Sequence, residues 1–444
     1  MLRVIVGSLA MVVLLAAVFP FSADLVLNRF LKPKLEQAFS AHLPGSSLQL
    51  GALHYDFWAD HLGCDSVVLN RKGGAPASAG SVALTGVHWG RLLVGKPTPA
   101  QIFSSARLEV TDLSAVLPTK EYRIQCGHLS VSVPDSAVTA QALALQLAIS
   151  DEAFFAAAPF RRVRYRVGVA SGALRGVNFA ELLNGQAYRA QSLELTGAVV
   201  DSLSDREKPR RPVTNVPLPQ EMLAAITKPF RLDRLTITDG QITYAARRHE
   251  GSEPGVLTFN GVQINAKEIA NAAAGGQAID LTGEGRLMDA GTLTVQMRLP
   301  VAPGTLAFHY AGKLSAMELT RFDEFMEGAG RVRIRSGSVS EAWFDIDVMG
   351  GHAHGTVRGM YRDLHVKVVN GDSGSEKGAV NRVATVLVNA VKVRNENAPD
   401  KAGVLKAGKV DYARKPEDSF LQFAWYAIRA GILDLVSLEA RPIP

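Results

Sequence analysis

Residues 235–245 read LTITDGQITYA, and apolar and polar side chains alternate on both sides of the central pair Asp239-Gly240. Strict alternation predicts β-strands, because successive side chains of a strand point to opposite faces of its sheet. The Asp-Gly pair supplies the positive φ that a tight turn requires. The stretch therefore predicts two short antiparallel strands joined by a hairpin turn, with one apolar face and one wet face.

The same pattern recurs along the chain as a loose repeat. LELTGAVVDS (193–202) and VRIRSGSVSEA (332–342) alternate around a central glycine, and LEVTDLSAVL (108–117) follows the pattern less closely. TLTVQMRLP (292–300) alternates without a turn residue. Weakly similar units of this kind predict a sheet that grows by addition of strands, in a mainly β, mostly antiparallel fold with a few helices.

Helical periodicity is confined to the segments 28–40, 219–227, 379–393 and 420–438. The last of them is apolar on nearly all sides, but its Arg429 and Asp434 argue against a membrane span. We expect it to pack over the end of the sheet. Contact with a membrane surface is the alternative.

The N-terminus carries an uncharged run from Val4 to Ala23. As a helix this run spans roughly 30 Å, the thickness of one bilayer core. A cleaved signal peptide is the alternative, but bulky Phe21 stands where a cleavage site needs a small residue. We therefore expect a single-pass, uncleaved transmembrane anchor.

Composition limits the classes of structure and partner that the chain can have. A chain of 444 residues, 47% of them hydrophobic, can bury a large core. Its 48 Lys and Arg against 42 Asp and Glu give a net charge of only +6, thinly spread, which argues against a nucleic-acid partner. Cys64 and Cys126 stand far apart in the sequence, so two buried thiols on strands are favoured, with a disulfide as the alternative.

Two stretches rich in proline, glycine and charge interrupt the periodicity, SDREKPRRPVTNVPLP (204–219) and NGDSGSEKG (370–378). They predict four segments: an anchor in 1–27, an N-terminal β-rich unit in 28–212, a central β unit in 213–370 and a C-terminal helical and strand closure in 371–444.

GGHAHG (350–355) raises the question of a metal site. On a strand, His352 and His354 share one face, as some metal sites require. The neighbouring strand sequences offer no histidine or carboxylate at an obvious matching position. We therefore expect a wet sheet face and no metal.

GDSG (371–374) matches the short sequence around the nucleophile of trypsin-like serine proteases. No histidine motif of that family precedes it, and no GxSxG, P-loop or HExxH sequence occurs. We expect no catalytic residues, no cofactor and no enzymatic activity.

Arginine stripes occur on two predicted strands, at Arg162, Arg164 and Arg166 and at Arg331, Arg333 and Arg335. Such stripes are typical of the wet face of a sheet. Contact with anionic lipid head groups is the alternative.

Three stretches resemble one family. Residues 218–247 show a short helix followed by a strand, a glycine turn and a strand, and residues 310–369 contain an SGxxxxxxF hairpin at Ser336 and a GxxxxxYxDL strand at Gly355. With the anchor and the helical ending 393–436, they resemble the AsmA-like proteins of the bacterial envelope. The resemblance covers the anchor and residues 185–438, whereas residues 46–184 fit by architecture only.

The resemblance implies an inner-membrane anchor and a periplasmic body whose extended, curved sheet forms an open groove, closed by C-terminal helices. It also implies a role in moving phospholipid between the inner and outer membranes, in outer-membrane biogenesis. The expected partners are phospholipid acyl chains, the inner membrane and an envelope protein. The envelope protein is expected because strands spaced ~4.8 Å apart give a sheet of only ~100 Å, which is too short to span a whole periplasm alone.

The candidate groove residues are Leu235, Ile237, Ile242, Tyr244, Ile334, Phe344, Ile346, Val348, Leu364, Val366 and Val368. The sequence leaves open which strand face lines the groove. Two rival hypotheses remain, a scaffold that assists outer-membrane protein assembly and a hydrolase that uses Ser373 or a metal at the two histidines.

Overall fold

The computed structural model describes residues 24–43, 45–56, 58–71, 74–88, 97–209, 216–247, 253–301, 306–330, 332–368 and 393–437. The apolar run of the predicted anchor, Val4 to Ala23, the GDSG motif and the predicted helix 379–393, except Val393, lie outside these residues.

The described chain is mainly β, and its strands belong to one large, open sheet, which confirms the predicted fold class in this respect. The strands are β1 Ser46–Leu50, β2 Leu53–Asp56, β3 His61–Cys64, β4 Val67–Arg71, β5 Ala77–Ala79, β6 Ser81–Thr85, β7 Arg107–Val116, β8 Tyr122–Ser132, β9 Ala137–Leu147, β10 Val163–Arg175, β11 Tyr188–Asp205, β12 Phe230–Arg247, β13 Gly255–Ala270, β14 Ala278–Leu287, β15 Gly291–Pro300, β16 Ala307–Leu314, β17 Met317–Glu318, β18 Val332–Met349, β19 His352–Val368 and β20 Ala407–Ala413.

The helices are α1 Lys32–His42, α2 Pro99–Ile102, α3 Asp151–Ala156, α4 Phe179–Leu183, α5 Pro219–Ala224, α6 Asp323–Gly330 and α7 Phe420–Val436. A π-helical turn, Leu27–Leu31, leads directly into α1.

The chain divides into two compact units, one formed by residues 1–149 and 168–190 and the other by 150–167 and 191–444. In the first unit, β7 pairs with β5 and β6 on one side and with β8 on the other, and β9 pairs with β8. Cys64 and Cys126 are buried there as free thiols. The four predicted segments stay a prediction.

The second unit contains an antiparallel meander. Each strand from β12 to β16 pairs with the next along the chain, β16 then pairs with β18, and β19 and β20 follow. Every one of these pairings is antiparallel, which agrees with the alternating pattern of the sequence.

The predicted hairpin turns are wrong, because the chain continues through them as one strand. Asp239 has a φ of 53° and Gly197 a φ of 63°, as a turn would need, yet they lie inside the 18-residue strands β12 and β11. The register between β12 and β13 shifts on both sides of Gly240. The Asp239-Gly240 position is therefore a β-bulge, which uses the same positive φ as a hairpin turn but bends and twists the strand without reversing it.

Helix α7 packs on the sheet, as expected for this apolar segment. Phe423 and Ala427 are fully buried against Phe308, Tyr310 and other residues of the C-terminal strands. Gly408 of β20 permits the close approach, because a Cβ there would lie 2.7 Å from the backbone nitrogen of Leu435.

Candidate functional site: the two faces of the meander

Rows of side chains cross the meander perpendicular to its strands, since residues opposite each other in adjacent strands share a face. One apolar row consists of Leu235, Ala266, Leu281, Met297, Tyr310, Ile346, Gly355 and Val410. The parallel row is Ile237, Ile264, Gly283, Val295, Gly312, Phe344, Val357 and Gly408. We call the face that carries these rows the apolar face.

The structure brings the sequence-derived candidates together on the apolar face. Leu235 and Ile346 belong to the first row, and Ile237 and Phe344 belong to the second. Ile242 reaches the same face across the bulge, because it pairs with Phe259, which in turn pairs with buried Leu287.

The other candidates lie on the same face or at its border. Ile334, Leu364 and Val366 pack with the C-terminal core, which also contains fully buried Val348. Tyr244 packs edge-on against Phe325 of α6, with 6.0 Å between ring centroids. The backbone of Val368 pairs with Val332, and its side chain lies outside the described residues.

The apolar face has a covered part and a half-exposed part. Under α7, Ile346 and Val348 have exposed fractions of 0% and 1%, so a ligand cannot reach them while the helix is in place. On β12, β14 and β15, by contrast, Leu235, Ile237, Leu281 and Val295 are only half-buried. We call this second part the open apolar patch.

The opposite face of the meander is charged. Its central row consists of Arg234, Lys267, Asp280, Arg298, His309, Asp347, His354 and Asp411. The Arg298 Nη1 atom lies 3.1 Å from Asp280 Oδ1, and His309 Nε2 lies 3.1 Å from Asp345 Oδ1. A shallow cavity of about 670 Å³ lies over the β12–β16 part of this face.

The sequence argument against a third ligand near His352 and His354 is wrong. Asp411 of β20 stands directly opposite His354, and its Oδ1 atom lies 2.9 Å from His352 Nε2. Sequence reasoning missed Asp411 because a long connection separates β19 from β20. No local sequence pattern indicates that these two strands pair.

The interpretation of the arginine stripe as a wet face fails at Arg164. This side chain is 5% exposed and lies between the carboxylates of Asp151 and Asp201. Its neighbour Tyr165, which points to the opposite face of the strand, is 47% exposed. In the second stripe, Arg333 forms an ion pair with Glu327, while Arg331 lies outside the described residues.

None of the helices within the described residues is long and apolar enough to cross a membrane. The predicted anchor, Val4 to Ala23, lies outside that search.

Comparison with known proteins defines no class and no particular relative: no family model matches the chain, and no curated protein matches it. The AsmA-like resemblance therefore stands on the sequence pattern alone.

Proposed function

We propose that this protein is a non-enzymatic lipid-handling protein of the bacterial envelope, anchored in the inner membrane with its body in the periplasm. In this role the sheet shields phospholipid acyl chains from water as they move between the two membranes. The observation that carries the proposal is the open apolar patch on β12, β14 and β15.

The physical argument is the hydrophobic effect. Leu235, Leu281 and Met297 belong to one apolar row, with the small buried side chain of Ala266 between the first two, and Ile237, Ile264 and Val295 belong to the next. Apolar side chains therefore continue from strand to strand. A contiguous half-exposed apolar patch favours contact with an apolar partner. Each methylene of an acyl chain that leaves water on such a surface contributes about 0.8 kcal/mol.

The covered part of the apolar face takes a different role in this proposal. Phe344 is half-buried, whereas Ile346 and Val348 are fully buried under α7. The candidates for lipid contact are therefore Leu235, Ile237 and Phe344, while the buried candidates stabilise the closed end.

The localisation rests on the sequence. The apolar run from Val4 to Ala23 supports an anchor, and the AsmA-like resemblance supports the inner membrane and the periplasm. A lipid carrier of this kind would work beside an envelope protein that receives or supplies the lipid.

The test is the phospholipid content of the purified full-length chain. We expect phospholipid to co-purify with the wild type in mild detergent, and to be detected by native mass spectrometry and lipid extraction. Ile237→Asp and Leu281→Asp should each reduce bound phospholipid several-fold, because a carboxylate in the patch opposes acyl-chain contact.

Thr282→Asp is the matched control. Thr282 follows Leu281 in β14 and is exposed on the charged face, so this substitution adds the same charge without touching the patch. It should keep the wild-type lipid content. Equal lipid in all three variants with unchanged circular dichroism, or a wild type without phospholipid, would refute lipid handling.

A scaffold for outer-membrane protein assembly is the second candidate. The packed core under α7 favours it, because a sheet filled with side chains such as Phe308 and Phe423 offers a rigid support rather than a ligand site. A lipid-free wild type would move this candidate to first place.

A further inference from the structure

The charged face holds a cluster that the proposed lipid role does not use. His352 and His354 of β19 and Asp411 of β20 each offer one ligand atom, and these three atoms all lie within 4.8 Å of one another. The cluster lies on the face opposite α7, because Ala353 between the two histidines is fully buried in the core.

We propose that His352, His354 and Asp411 form a binding site for a divalent transition metal of the Zn²⁺ type. Two imidazoles and one carboxylate are ligands that Zn²⁺ prefers, and three protein ligands with an open fourth position are a common zinc arrangement. This inference is independent of the lipid proposal, which concerns the other face.

The backbone holds the ligands in place. His354 and Asp411 are register partners, and His352 precedes His354 by two residues, so all three share one face of a regular antiparallel pair. Ligand atoms around a tetrahedral Zn²⁺ are about 3.3 Å apart. His352 Nε2 and Asp411 Oδ1 are already 2.9 Å apart, so side-chain rotation completes the site without backbone movement.

The surrounding charges are compatible with a cation. Asp347 of β18 stands opposite His354 on the other side of β19 and adds a negative charge, and it is a candidate fourth ligand beside water. Lys409 is the competing cation, with its Nζ atom 3.5 Å from Asp411 Oδ2. The other carboxylate oxygen, Oδ1, faces His352 and is the one that would bind the metal.

The two histidine rings also argue for a shared ligand. Their centroids are 4.1 Å apart with an angle of 59° between the planes. A metal ion bound by both rings in their neutral form would give them a common partner.

The test is Zn²⁺ binding by the full-length chain, with any purification tag removed and metal stripped by a chelator. Competition with a chromophoric chelator should show one site per chain that His354→Ala and Asp411→Asn each weaken at least tenfold. Zn²⁺ should also raise the melting temperature of the wild type, because the ion joins β19 to β20.

The matched control is His309→Ala. His309 is a half-exposed histidine of the same charged row, and its Nε2 atom is paired with Asp345 instead of the cluster. This variant should bind Zn²⁺ like the wild type. Metal-free circular dichroism of each variant monitors folding. Unchanged affinity in His354→Ala and Asp411→Asn, or an equal loss in His309→Ala, would overturn the assignment.

Discussion

The hydroxyl group of Tyr310 donates a hydrogen bond of 3.0 Å to the backbone carbonyl oxygen of Ala424. This contact joins the middle of the meander to α7, 114 residues further along the chain. Tyr310 is 2% exposed, so the bond lies in the core. It is a specific polar link in the core between the sheet and α7.

Tyr310→Phe should lower the free energy of unfolding by about 1 kcal/mol, because it removes one satisfied buried hydrogen bond and keeps the ring. Urea unfolding followed by circular dichroism measures the change. Tyr361→Phe is the contrasting variant: the Tyr361 hydroxyl is buried without a hydrogen-bond partner in the described part of the chain, and burial raises its pKa to about 12. Its removal should be neutral or stabilising, and equal losses in both variants would contradict this account.

Gly408→Ala should release α7 from β20. A Cβ at Gly408 would collide with the backbone carbonyl of Gly431, so either the helix or the strand must shift. We expect a loss of several kcal/mol and faster hydrogen exchange of the α7 amides.

The control for this substitution is Gly168→Ala, since nothing lies within 4 Å of a Cβ built there. That variant should be neutral or slightly stabilising, because alanine restricts the unfolded chain more than glycine does. Unchanged exchange of α7 in Gly408→Ala would show that the strand accommodates the methyl group.

Arg164→Ala should cost about 3 kcal/mol, because it leaves Asp151 and Asp201 without their buried cation. Arg166 contacts the same two carboxylates, but its side chain is 49% exposed. Arg166→Ala should therefore cost less than about 1 kcal/mol. Thermal unfolding of both variants compares the two, and an equal effect would mean that burial does not determine the strength of this network.

His54 should titrate above its ordinary pKa. Its Nε2 atom lies 3.2 Å from Asp65 Oδ2 and its Nδ1 atom 3.3 Å from Asp24 Oδ2. The hydrogen bond to Asp65 raises the pKa of His54 most, and the hydrogen bond to Asp24 raises it further. Burial has a smaller, opposing effect. Histidine-selective NMR titration should show a larger decrease of the pKa in Asp65→Asn than in Asp24→Asn.

The sign of the linked stability follows from the raised pKa. The contribution of His54 is fully present below the unfolded pKa of about 6.5 and is lost as the pH rises through the higher folded pKa. The difference in stability between wild type and His54→Gln should therefore shrink between about pH 6 and pH 8. A difference that grows over this range would contradict the assigned partners.

Alternation alone predicted much of the fold and of the apolar face. Leu235, Ile237 and Ile346 fall on one face, because the alternation holds within each stretch of strand that no bulge interrupts. The turns could not be predicted, since a residue with positive φ such as Asp239 serves a bulge as well as a hairpin.

Non-local pairing limited the prediction of both candidate sites. Asp411 meets His354 only because β20 returns to β19, and Arg164 pairs with Asp151 because α3 brings this carboxylate beside β10. The cover of α7 over Ile346 also depends on residues distant in sequence. Periodicity indicates which residues share a face of the sheet, but it does not indicate which distant segments pack against that face.

The separation in sequence between the sheet and its cover also bears on how the chain acquires its structure. In the meander from β12 to β16, each strand pairs with the next strand along the chain. These local pairs can form one hairpin at a time, before the C-terminal residues have been synthesised. Until β20 and α7 arrive, Phe308 and Tyr310 face solvent, which exposes the nascent protein to aggregation. Gly408→Ala would prolong this interval, because it opposes the docking of α7 on β20.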